Sequence, residues 1–135
     1  MKKIIGILAV SVLLLTSCNK EEVEVNTLPS SAEGVQNSID ELSIGFANFN
    51  DVSDSRSYNY TNTGPNADLS VGGFITGGQV EVTIKNDAGT QLFKQTYTNA
   101  SGTNIQLSDP STSWTIKVDF ANASGQLGIS LDKID

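Results

Sequence analysis

The chain has 135 residues, 8 of them basic and 15 acidic, with no histidine, one cysteine and a formal net charge of −7. An acidic balance excludes a nucleic-acid binder, which needs a cationic footprint for the phosphates, and gives no attraction to an anionic membrane surface. With no imidazole and a single thiol, Ser-His-Asp and Cys-His nucleophilic catalysis, zinc sites built on His or Cys, and an internal disulfide are excluded as well.

Met1-Lys2-Lys3 is a positive n-region, Ile4 to Leu15 an apolar run, and Thr16-Ser17 two small residues ahead of Cys18. This is the pattern of a secretory signal, and its apolar run falls short of the about 20 residues that span a bilayer. Leu15-Thr16-Ser17-Cys18 resembles the lipobox of bacterial lipoproteins. The resemblance implies cleavage after Ser17, a diacylglycerol on the Cys18 thiol and an acyl chain such as palmitate on its new amino group. Two or more chains hold a protein on a membrane where one holds it only marginally. Behind the cysteine, Asn19-Lys20-Glu21-Glu22 resembles the export stretch of Bacteroidetes surface lipoproteins, and Asn19 is not the aspartate that retains many enterobacterial lipoproteins in the inner membrane. The expected location is the outer membrane, facing the cell exterior. Residues 1–17 are read as the cleaved signal peptide, 18–40 as the lipidated cysteine with a flexible acidic linker, and 41–135 as the folded domain. The linker composition is that of a spacer, with room for a short helical turn from Ser31 to Ser38.

From Glu41 the texture is β-branched and aromatic residues punctuated by Gly, Asn, Asp and Ser. Leu42, Ile44 and Phe46 open a strand that runs to Phe49, turns follow at Asn50-Asp51 and Ser53-Asp54, and Tyr58 and Tyr60 mark a second strand. Asn62 to Asn66 reads as a loop. Asp68 to Thr76 reads as a bulged strand, with Gly72-Gly73 and Gly77-Gly78 bracketing Phe74. Val80, Val82 and Ile84 alternate with polar residues, and Asn86 to Gly89 turns that strand into Gln91–Thr98. A short strand at Thr103–Leu107 leads to the turn Ser108-Asp109-Pro110. Trp114, Ile116, Val118 and Phe120 share one face, Asn122 to Gly125 turns, and Leu127, Ile129 and Leu131 close the chain. The expectation is an all-β fold, a small antiparallel β-sandwich of seven or eight strands. Asn-Ala-Ser-Gly recurs at Asn99 and Asn122 as repeated turn chemistry, since the flanking strands differ.

Val80 to Gly89, Ser113 to Val118 and the Ser124-Gly125 turn resemble the later part of pre-peptidase C-terminal and proprotein-convertase P-type β-sandwich modules. That resemblance implies an accessory module rather than a catalytic domain. Trp114 shares its face with three apolar residues and reads as core. Tyr58 and Tyr60 stand on one side of an otherwise polar strand and are the candidate binding residues, since aromatic rings stack on sugars. Asp51, Asp54, Asp68 and Asp87 are weak calcium candidates, oxygen donors without an EF-hand ladder. The glycine pairs have neither Walker nor dinucleotide spacing. No cofactor and no enzymatic activity are expected. The leading reading is a surface lipoprotein that binds a glycan, an envelope protein or a host molecule; the alternative is a structural accessory subunit of an outer-membrane complex, joined by edge-strand pairing.

Overall fold

A computed structural model describes residues 26–135; the expected signal peptide, Cys18 and the front of the expected linker lie outside the described residues. A 3-10 turn at Ser30–Ala32 precedes β1 (Glu33–Ser38), β2 (Glu41–Thr61), β3 (Asn66–Asn86), β4 (Gln91–Tyr97), β5 (Ala100–Ser108) and β6 (Ser113–Lys133). Every pairing is antiparallel, in the order β1-β2-β6-β3-β4 with β5 also on β3.

β2, β3 and β6 are 21 residues each, and each joins two of the stretches that the sequence separates. The turns expected at Asn50–Asp54 and Asn122–Gly125 are bulges inside continuous strands, so the strands number six rather than seven or eight. The physical reason is that the same residues serve both outcomes. Asn48, Asp51 and Asn122 take positive φ of 53°, 51° and 48°, a backbone that Asn, Asp and Gly tolerate whether a strand reverses or only bulges. Gly78 (φ 65°) is obligatory at its bulge, because a Cβ there would sit 2.0 Å from the Asn122 carbonyl oxygen.

The bulges bend the three long strands over on themselves. Asp40 N–H donates to the Thr61 carbonyl at 2.7 Å, so the two ends of β2 meet. The result is a sandwich with two layers. One has five strands: β1, the first third of β2, the last half of β6, the first half of β3, and β5. The other has four: residues 54–61 of β2, 113–121 of β6, 79–86 of β3, and β4. Alternate residues of both layers fill one core, including Leu42, Ile44, Leu69, Val82, Ile84, Trp114, Ile116, Ile129 and Leu131, all at most 2% exposed. At the bend Phe120 meets Phe46 and Phe49 edge-on, with ring centroids 5.1 and 5.2 Å apart, which ties one layer to the other. At the open end Trp114 packs on Tyr60.

The back of the expected linker is folded. Leu28 is buried, Ser30–Ala32 forms one 3-10 turn in place of a helical turn over Ser31–Ser38, and β1 pairs with β2 from Glu33 opposite Phe46 to Ser38 opposite Glu41. Lone apolar residues such as Leu28, Ala32 and Val35 carry no periodic signal in a polar stretch, so only pairing with β2 reveals them as part of the domain.

Candidate functional site

The outward residues of the four-stranded layer fall into three rows, because antiparallel register sets side chains directly opposite one another. The first row is Ser55, Asp119, Glu81 and Thr96; the second Ser57, Lys117, Thr83 and Lys94; the third Asn59, Thr115, Lys85 and Gln91. Nine of these residues line a concavity of about 250 Å³: Ser57, Thr115, Lys117 and Asp119 from β2 and β6, then Glu81, Thr83, Lys85, Gln91 and Lys94 from β3 and β4. No aromatic ring is among them. Every residue that lines it is polar or charged, although the other face of the same strands is the core.

Charge is ordered across it. Glu81 and Asp119 are cross-strand neighbours, and each is held in place. Lys94 Nζ lies 3.8 Å from Glu81 Oε2 and Lys117 Nζ 3.8 Å from Asp119 Oδ1, while Thr96 Oγ1 donates to Glu81 at 3.4 Å and Ser55 Oγ to Asp119 at 2.8 Å. Among the described residues Lys85 has no carboxylate within 4.0 Å. Thr83, in the centre, is only 8% exposed, yet its hydroxyl has no hydrogen-bond partner among the described residues. Thr83 lines the concavity, so solvent or a ligand is left to satisfy its hydroxyl. Polar donors fixed on rigid strands around such a group suit recognition of a polar ligand by hydrogen bonds and ion pairs. Among the described residues no group of three His, Cys, Asp or Glu side chains is placed to hold a metal ion.

The residues singled out in the sequence lie elsewhere. Tyr60 is wholly buried, its ring 5.6 Å from Trp114 and its hydroxyl donating to the Asp40 carbonyl at 3.3 Å. Burial first, then the charges of Asp40 and Asp132, push its phenol up to about 12. Tyr60 therefore offers no surface to a ligand. Tyr58 does share its side, half-buried at the rim against Phe46, with its hydroxyl donating to Glu33. Burial and then Glu33 raise its pKa also. The rings that decide this are Phe46, in the first part of β2, and Trp114, in β6.

Asp54 belongs to a clamp. Its carboxylate accepts from the Leu28 N–H at 2.9 Å and pairs with Arg56 Nη1 at 2.9 Å, while Arg56 also donates to the Leu28 carbonyl and pairs with Glu33. The clamp straps residues 28–33 to β2. Asp51 sits in the β2 bulge, Asp68 on the outer face of the five-stranded layer opposite Asp132, and Asp87 in the β3–β4 turn. The four calcium candidates are thus not gathered into one cluster. Cys18 lies outside the described residues.

Sequence reasoning passed over Lys85, Lys94 and Lys117. The available signal was the polar half of the alternations at Glu81–Lys85 and Thr115–Asp119, which reads as solvated surface until the register sets the strands side by side.

No protein-family model matches the chain, and no curated protein matches it. Among solved structures, the CBM36-1 domain of a multidomain xylanase from the hindgut metagenome of Trinervitermes trinervoides is similar at a TM-score of 0.43 and 13% identity, over 77% of this chain and 91% of that one. TmCBM61, solved in complex with beta-1,4-galactotriose, gives 0.42 and 14%, over 76% and 79%. Accessory secretory protein 1, 2 and 3 of Streptococcus pneumoniae gives 0.39 and 12%, over 83% and 92%. Likenesses of this depth pass no ligand and no role to this chain.

Proposed function

We propose that the protein is a non-enzymatic binding module, anchored in the outer membrane through lipid on Cys18 and facing the cell exterior, and that it holds a glycan on the concave face of its four-stranded layer. The observation that carries the binding reading is Thr83, nearly buried and with no hydroxyl partner among the described residues, set among polar groups that line one concavity. Sugars present many hydroxyls, each of which both donates and accepts, and a face of Ser, Thr, Gln and Lys groups on strands matches that chemistry. Each neutral hydrogen bond contributes only about 0.5–1.5 kcal/mol net, so several must act together. A run of sugar units laid across three strands supplies them. The lipobox supports the anchor.

Two experiments test this. Cells grown with labelled palmitate incorporate label into the wild-type chain and not into the Cys18→Ser variant; label on neither removes the anchor. The full-length Cys18→Ser protein, screened against immobilised polysaccharides, binds at least one, and Ser57→Ala with Gln91→Ala weakens that binding. Retention of full affinity in the double variant moves the site elsewhere.

A further inference from the structure

We infer that the glycan is anionic, its carboxylates received by Lys85, Lys94 and Lys117; this inference rests on the binding face proposed above. The charge distribution is the first ground. In a chain of net charge −7 with 8 basic residues, three of the five described cations line one concavity. The other two lie elsewhere: Arg56 pairs with Asp54 and Glu33 at 2.9 and 3.2 Å, and Lys133 lies 3.8 Å from Asp40.

Geometry is the second ground. Lys94 and Lys117 flank Thr83 on the neighbouring strands, which sets their backbones about 10 Å apart, and Lys85 lies two residues along β3, about 7 Å from Thr83. The three lysines therefore stand around Thr83 in the register of the strands. Lys85 has no acid within 4.0 Å among the described residues, and Lys94 and Lys117 make only loose pairs at 3.8 Å, so all three keep donors to offer. An ammonium has three.

The third ground is what the concavity lacks. Without an aromatic ring it has no platform for stacking on a sugar face, so affinity has to come from polar contacts. Hydrogen bonds between ionised groups are roughly twice as strong as neutral ones. A carboxylated sugar sets an ionised acceptor against each ionised donor, which a neutral sugar cannot do. The protein's negative charge does not forbid this. The lining itself holds three lysines against two carboxylates, Glu81 and Asp119, and Glu41, Asp132 and Asp68 stand in one row on the outer face of the opposite layer.

The test uses the full-length Cys18→Ser protein and oligomers of galacturonate, glucuronate and mannuronate, each beside its carboxyl-reduced counterpart, with poly-glutamate as a non-sugar polyanion. At least one uronate oligomer should bind about tenfold or more tightly than its reduced form, a difference of about 1.4 kcal/mol. Added salt should weaken it, and Lys85→Gln and Lys117→Gln should each weaken it several-fold with unchanged melting temperature. Lys133→Gln, at the open end of the sandwich, should bind as wild type. Equal binding of acid and reduced forms overturns the charge inference and leaves the glycan-binding reading standing. Binding to none of the sugars overturns both. Poly-glutamate bound as tightly as the uronates shows ion exchange without sugar recognition and overturns the inference.

Discussion

Thr83 shows how a single side chain separates stability from function. In the stretch Val80–Lys85, whose other residues either face the core or carry charge, it is nearly buried and its hydroxyl has no partner among the described residues. Thr83→Val removes that group and keeps the shape, so the account expects a melting temperature equal to or above wild type together with weaker glycan binding. Calorimetry and a binding titration on the same sample check both halves. Asp54 and Arg56 act in the opposite sense. Burial disfavours the charged Asp54 carboxylate, but the Leu28 and Ser55 N–H groups and Arg56 overcome it and hold its pKa below the ordinary carboxylate value. Its folded pKa is therefore lower than its unfolded one, so the stability it contributes is present above the unfolded value of about 3.8 and is lost as pH falls through the folded value. Asp54→Asn should lower stability at neutral pH and flatten the acid side of the profile, as measured by urea unfolding across pH 2 to 7. An acid limb identical to wild type would remove the clamp from the account.

The long strands carry the lesson about what a sequence makes legible. The alternation of Trp114 to Phe120 and of Leu127 to Leu131 identified both halves of β6 and their buried faces, and it did the same for Val80 to Ile84. What joins the halves was hidden, because Asn122 and Gly125 satisfy the requirements of a hairpin turn as well as those of a bulge. The concave face was hidden for a related reason: Lys94, Thr83 and Lys117 become neighbours only through the pairing of three strands. Tyr58 and Tyr60 looked available because their strand is polar, while the rings that bury them come from β2 and β6 partners. Glycines give the sharpest test at this scale. Gly34, Gly45, Gly128, Gly72 and Gly102 stand opposite one another in a row across the five-stranded layer. At Gly72 a Cβ would meet nothing within 4 Å, whereas at Gly78 it would collide with backbone. Gly72→Ala should leave stability unchanged or raise it by about 0.4–1 kcal/mol. Gly78→Ala should destabilise by more than that, since both φ and space forbid the side chain. Equal denaturation midpoints for the two variants would show that the bulges do not set the bend.

At the scale of the molecule, two layers share one core that the bends close, and all three tyrosines of the chain report on it. Burial raises the phenol pKa of each, foremost by desolvation, with Tyr60 pushed up to about 12. Because the folded values exceed the unfolded one of about 10, the stability they contribute is complete below pH 10 and is lost as pH rises through the folded values. Tyrosinate absorbance should therefore stay low through pH 10 and then rise together with the loss of near-ultraviolet dichroism. Ionisation of all three near pH 10 in a folded protein would mean the rings are not buried.

The two layers also divide the surface. One outer face is a glycine row beside an acidic row, and the other is a concavity that gathers lysines around an unpartnered hydroxyl. The claim that the second face is the working one can be read directly from amide chemical-shift changes on titrating the labelled full-length Cys18→Ser protein with a glycan that it binds. The account predicts shifts concentrated at Ser55–Asn59, Glu81–Lys85, Gln91–Thr96 and Thr115–Asp119. Shifts centred instead on Gly45, Gly72 and Gly128, with the four-stranded layer silent, would contradict it.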